Sequence, residues 1–121
     1  MYADPQSVTV GGGAKSFVRI GSTSPGTKGS FSTADGAYRL DISQNSTAQR
    51  FRREVRLTAV DVAADPISAV NKEVSASAII VIDEPRWGFS DPDLIDMLTG
   101  LVTLLSASNY AKTQSLLNGE L

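Results

Sequence analysis

Five arginines crowd the stretch from Arg39 to Arg56 (Arg39, Arg50, Arg52, Arg53 and Arg56), where only Asp41 and Glu54 are acidic, so this segment is locally net +3. Guanidinium groups at alternate positions of adjacent strands would stand about 5 Å apart on one pleated face, a spacing suited to a polyanion. The plainer alternative is a solvated sheet surface. Asp41 and Glu54 fall on neighbouring alternating runs, and paired carboxylates can do acid–base work or hold a divalent cation. Beside Arg39, Arg52 and Arg56 they read instead as cross-strand ion pairs. Gly11-Gly12-Gly13-Ala14-Lys15-Ser16 is faintly like a phosphate-binding loop, yet it lacks the glycine before the lysine, and a strand follows where a helix is required. Asn45-Ser46-Thr47 matches the glycosylation sequon, but MYADPQSVTV has no basic start followed by an apolar run. A chain without such a signal is expected to act where it is made, which leaves the sequon as turn chemistry.

The sequence has no cysteine and no histidine. Disulfides, thiol nucleophiles, histidine bases and the usual zinc sites are thereby removed, and neither enzyme activity nor a metal or cofactor is expected. With 41% hydrophobic and 20% charged residues the chain should pack a core, and 121 residues suit a single domain spanning 1–121. The longest apolar stretch, Leu94 to Leu105, is interrupted by Asp96 and is too short to span a bilayer, so no membrane is expected. A net charge of −2 does not by itself suggest nucleic acid, but the charge is unevenly placed: from Asp83 onward there are six acids against only Arg86 and Lys112. One molecule would carry a basic face and an acidic end.

These side chains need strands to position them. Ser7 to Val10 and Ser16 to Ile20 alternate on either side of Gly11-Gly12-Gly13, which predicts a hairpin. Gly26 to Gly29 reads as a turn, Ser30 to Ser32 as a short strand, and Asp35-Gly36 as another turn. Over Ala37 to Ser43, Tyr38, Leu40 and Ile42 point one way and Arg39, Asp41 and Ser43 the other. After a polar connection, Gln44 to Gln49, a long strand over Arg50 to Val62 sets Phe51, Val55, Leu57 and Ala59 against Arg50, Arg52, Glu54, Arg56 and Thr58. Arg53 falls on the apolar side, which suggests a sheet edge. Ala63 to Asn71, stiffened by Pro66, reads as a loop. Lys72 to Ile82 makes a third long strand, with Ser75 and Ser77 on one face and Val74, Ala76, Ala78 and Ile80 on the other.

At Pro85 the period changes to that of helices. Ser90 or Asp91 can cap a first helix, Pro92 fits its first turn, and Asp93 suits the positive end of its dipole. Leu94, Ile95, Leu98, Leu101, Val102 and Leu105 make a broad stripe, widened by Met97 and Leu104, which implies burial on more than one side. Ser108 can cap a second helix, and Gly119 should end it.

Ala37-Tyr38-Arg39, Gln44-Asn45-Ser46-Thr47-Ala48-Gln49 and the basic strand after them resemble the coat proteins of single-stranded RNA bacteriophages. Leu94-Ile95-Asp96-Met97-Leu98-Thr99-Gly100-Leu101 and the closing Leu117-Asn118-Gly119-Glu120 are similar to the end of the same family. The resemblance spans the whole chain in element order and length. It implies an α+β fold: an amino-terminal β-hairpin over about 6–20, a five-stranded antiparallel sheet over about 30–84, and two carboxy-terminal α-helices over about 91–119 that interlock in a dimer.

By the same resemblance, Leu94, Leu98, Leu101, Val102 and Leu105 would form the dimer interface, and dimers would tile an icosahedral shell. The loop containing Asp65, Pro66 and Ile67 would make contacts between dimers. Single-stranded genomic RNA would lie against Arg39, Ser43, Arg50, Arg52, Arg56, Ser75 and Ser77, and in the family such a face also grips an RNA hairpin that represses replicase translation. Asp41 and Glu54 stand where better-known members carry hydroxyl side chains, and Ser75 and Ser77 stand where an aromatic and an Asn occur. The implied partners are further copies of the chain, the RNA and a maturation protein; the implied place is the virion, assembled in the bacterial cytoplasm. A cytosolic module that binds another nucleic acid or a protein is the alternative, and particle size separates the two.

Overall fold

A computed structural model describes Tyr2 and residues 5–22 and 28–121, and it divides after Glu84 into two compact units. The first is built on β1 (Gln6–Val10), β2 (Gly13–Ser22), β3 (Lys28–Ser32), β4 (Tyr38–Ser46), β5 (Arg50–Ala64) and β6 (Asn71–Pro85). They form one six-stranded antiparallel sheet in chain order. Gly11 and Gly12 join β1 to β2 with φ of +64° and +88°, the mirror-image turn that matches strand twist. A side chain at Gly11 would also meet the Tyr38 hydroxyl at 2.6 Å, so this position is closed on two counts.

The expected separation into a hairpin and a five-stranded sheet is corrected by β2, which serves two partners. Its first half pairs with β1 (Gln6 opposite Phe17, Val10 opposite Gly13) and its second half with β3 (Val18 opposite Ser32). The register shifts between Arg19 and Gly21, an irregularity that lets one strand bend from one neighbour to the next. Of the turn expected at Gly26 to Gly29, Gly26 and Thr27 lie outside the described residues, while Lys28 and Gly29 already belong to β3. The polar connection after β4 is shorter than expected, since Gln44, Asn45 and Ser46 remain in the strand.

Tyr38, Leu40 and Ile42 lie opposite Ala59, Leu57 and Val55. Leu40 and Ile42 join Phe17 and Phe31, which are fully enclosed, in the buried cluster, with Val8, Val10, Tyr38 and Leu57 packed against it. Each buried Phe stabilises the sheet by about 2–3 kcal/mol through area removed from water.

The second unit holds α1 (Asp91–Leu117). Of the two expected caps Ser90 is the one used: its hydroxyl accepts from the Asp93 N–H while the Asp93 carboxylate accepts from the Ser90 N–H, a complete capping box. The Ser90 N–H and the Ser90 hydroxyl, both donating to the Asp93 carboxylate, hold that carboxyl below its ordinary pKa. Gly119 (φ +82°) ends the element: its N–H donates to the Leu116 carbonyl and that of Glu120 to Ser115, each at 3.0 Å, a Schellman closure.

The span of α1 is long, but it leaves helical backbone at Ala107–Tyr110, so two helices, as expected, meet there at a kink. Ser108 is not a cap in extended conformation: Ser108, Asn109 and Tyr110 all take left-handed backbone (φ 53°, 59° and 64°), at about 1–2 kcal/mol each. Thr113 Oγ1 donates to the Leu105 carbonyl at 2.9 Å, satisfying an acceptor beside the interruption.

Candidate nucleic-acid interface

Strand pairing lines up the side chains of one sheet face in rows: Ser32, Arg39 and Thr58; Ser30, Asp41 and Arg56; Lys28, Ser43 and Glu54; then Asn45 opposite Arg52. All are on the face opposite Leu40 and Leu57, because alternation sends successive side chains to opposite sides. Arg50 Nε reaches Asp83 Oδ1 at 2.9 Å, which places Asp83 on this face, and alternation back along β6 adds Ser77 and Ser75. Every residue expected on the basic face is therefore brought to it. Lys28, Ser30, Ser32 and Asn45 share it too; β3 is too short to show a clear period in sequence, and Asn45 lies in a polar stretch that resembles a connection.

The rows also bring acids to the arginines. Arg39 Nε lies 3.1 Å from Asp41 Oδ1, and Arg56 holds Glu54 Oε1 through Nη2 at 3.0 Å and Nε at 3.2 Å. Lys28 Nζ approaches Asp41 at 4.0 Å. Partial burial pulls the Asp41 pKa up, but the Ser30 hydroxyl at 2.7 Å and the Arg39 guanidinium outweigh it, and the carboxyl titrates below its ordinary value. Asp41 and Glu54 are thus engaged in ion pairs, chiefly along their own strands with Arg39 and Arg56 rather than across strands as expected. Among the described residues no three His, Cys, Asp or Glu side chains are grouped to hold a metal.

Arg53 projects to the opposite, apolar face, yet not at a sheet edge, since β5 lies between β4 and β6. Its Nη2 and Nε lie 2.7 and 2.9 Å from Glu84 Oε1, and its Nη1 donates to Gln44 Oε1 at 2.8 Å. Glu84 is buried, so this pair explains why an arginine is tolerated on the apolar side.

Between β5 and β6 the loop is tight. Asp65 Oδ1 accepts from the backbone N–H groups of Ile67 (2.8 Å) and Ser68 (3.3 Å), and its other oxygen pairs with Lys72 at 3.3 Å. Those two N–H groups, with Lys72, hold the Asp65 pKa below the ordinary range. Ile67 stands on this loop 97% exposed, next to Pro66.

Along α1, Leu94, Leu98, Leu101, Val102 and Leu105 fall on one side, and no residue of the helix is buried. Leu101 is 53% exposed and Val102 47%. The burial on more than one side expected from the sequence is not found within the second unit among the described residues. No helix among the described residues is long and apolar enough to cross a membrane.

No protein-family model matches the chain, and no curated protein matches it. Solved structures do. The virus-like particle of bacteriophage AVE019 superimposes with a TM-score of 0.74 at 16% identity, covering 89% of this chain and 90% of that one. The capsid protein of bacteriophage GA gives 0.64 at 16% identity over 98% and 95%, and an unassembled, RNA-binding coat-protein dimer of a bacteriophage gives 0.60 at 17% over 98% and 95%. The fold of this chain is thus that of the coat proteins of single-stranded RNA phages.

Proposed function

We propose that this chain is a structural coat protein that dimerises, assembles into an icosahedral phage shell and packages single-stranded RNA against the basic sheet face. The likeness of fold over nearly the whole chain carries the reading. Two features of the chain support it: an apolar helix stripe left open within one copy, and a sheet face on which four arginines share one side. The helix stripe would be the dimer seam. Hydroxyls at Ser75 and Ser77 suit contacts to phosphate along any RNA better than a grip on a single hairpin, and the carboxylates at Asp41 and Glu54 oppose such contacts. The reading places the protein in the virion.

Electron microscopy of the chain expressed alone tests it directly: closed shells holding nuclease-protected host RNA are expected. Soluble particles no larger than a dimer would reject it in favour of a cytosolic binding module. Arg52→Ala combined with Arg56→Ala should lower the packaged RNA, read as the absorbance ratio of purified shells, while the melting temperature of the protein changes little, since both side chains are exposed.

The β5–β6 loop would make contacts around the symmetry axes, with Ile67 as its apolar tip. Replacing residues 66–69 by two glycines should leave dimers intact and prevent shells of normal size. Unchanged shells would remove the loop from assembly.

A further inference from the structure

We infer that Arg52 is the one arginine of the basic face free to anchor phosphate, and that the other three arginines are held in reserve by neighbouring carboxylates. The inference rests on the RNA-binding reading above and deepens it.

Arg39, Arg50 and Arg56 have carboxylate oxygens at 3.1, 2.9 and 3.0 Å, from Asp41, Asp83 and Glu54. Arg52, exposed on the same face, has no hydrogen-bond or ion-pair partner among the described residues. Across the strand pair it faces Asn45, whose neutral side chain is likewise unengaged. Glu54, two residues along β5, is turned to Arg56, which binds it through two nitrogens. Arg52 therefore has its whole guanidinium fork available, with an uncharged amide beside it.

A phosphate can take that fork without breaking any contact in the protein. At Arg39, Arg50 or Arg56 it must either displace a carboxylate or sit beside one, where like charge cancels the attraction. Counterion release follows the same division: a neutral arginine–carboxylate pair adds no net charge to the interface, whereas Arg52 adds one full charge. The carboxylates thus set how strongly the face holds RNA, a moderation useful where RNA must be gathered without regard to sequence and later released.

Salt titration of the full-length protein with a fluorescently labelled oligouridine, followed by anisotropy, separates the cases. Arg52→Gln should flatten the slope of log affinity against log salt by about 0.7 for each subunit engaged. Arg52→Lys should keep it. Glu54→Gln, which releases Arg56, should steepen it by about the same amount. Removing a pair as a unit, Arg56→Gln with Glu54→Gln, should leave the slope unchanged. If that pair deletion flattens the slope as much as Arg52→Gln does, all arginines contribute alike and the inference falls while RNA binding stands. Absence of salt-dependent binding by the unsubstituted protein would overturn the inference and the RNA-binding reading together.

Discussion

Leu101→Asp is expected to abolish both soluble dimers and shells. Leu101 is 53% exposed within one chain and lies among Leu94, Leu98, Val102 and Leu105 on a helix with no buried residue. If a second copy covers that stripe, each large side chain contributes about 1.5–3 kcal/mol by leaving water, and an aspartate in the seam replaces such a gain with the desolvation of an unpaired charge. The combined loss of several kcal/mol exceeds what a seam of this length can spare, and the stability of an obligate dimer cannot be separated from its association. Light scattering coupled to gel filtration reads the result. Leu101→Met, which preserves volume, should assemble normally. Persistence of dimers in the aspartate variant would move the seam away from α1.

The second large effect belongs to a residue outside the basic face. Arg53→Ala should destabilise the folded protein by about 3 kcal/mol, read as a lowered urea midpoint with an unchanged slope. The substitution strands the Glu84 carboxylate, which is buried and accepts from Arg53 at 2.7 and 2.9 Å. It also leaves Gln44 Oε1 without its 2.8 Å donor. The estimate sits at the low end for a broken buried pair because Arg53 itself is 42% exposed and water screens its side. Replacing both partners together, Arg53→Met with Glu84→Met, should restore most of the loss, since no charge is then left buried alone. An Arg53→Ala protein as stable as the parent would mean that water reaches the Glu84 carboxylate.

Local chemistry was legible in the sequence because its causes lie within a few residues. Positive-φ glycines mark the β1–β2 turn, alternation sorts Arg39, Arg52 and Arg56 from Leu40, Val55 and Leu57, and Ser90 with Asp93 writes the helix start. Strand parity is a period of two and needs no knowledge of the neighbour. What depends on the neighbour was decided by tertiary structure alone. Whether β2 closes a separate hairpin or continues into the sheet turns on a register shift near Gly21, and the reason for Arg53 on the apolar side lies in Glu84, 31 positions away. The same holds for the basic face: parity assigns the arginines to one side, but only cross-strand packing puts Asp83 against Arg50 and leaves Arg52 without a carboxylate. Arg39–Asp41 and Glu54–Arg56 are two residues apart on one strand, but the Arg50–Asp83 pair joins atoms distant in the chain across a few ångströms, and no sequence period encodes that distance.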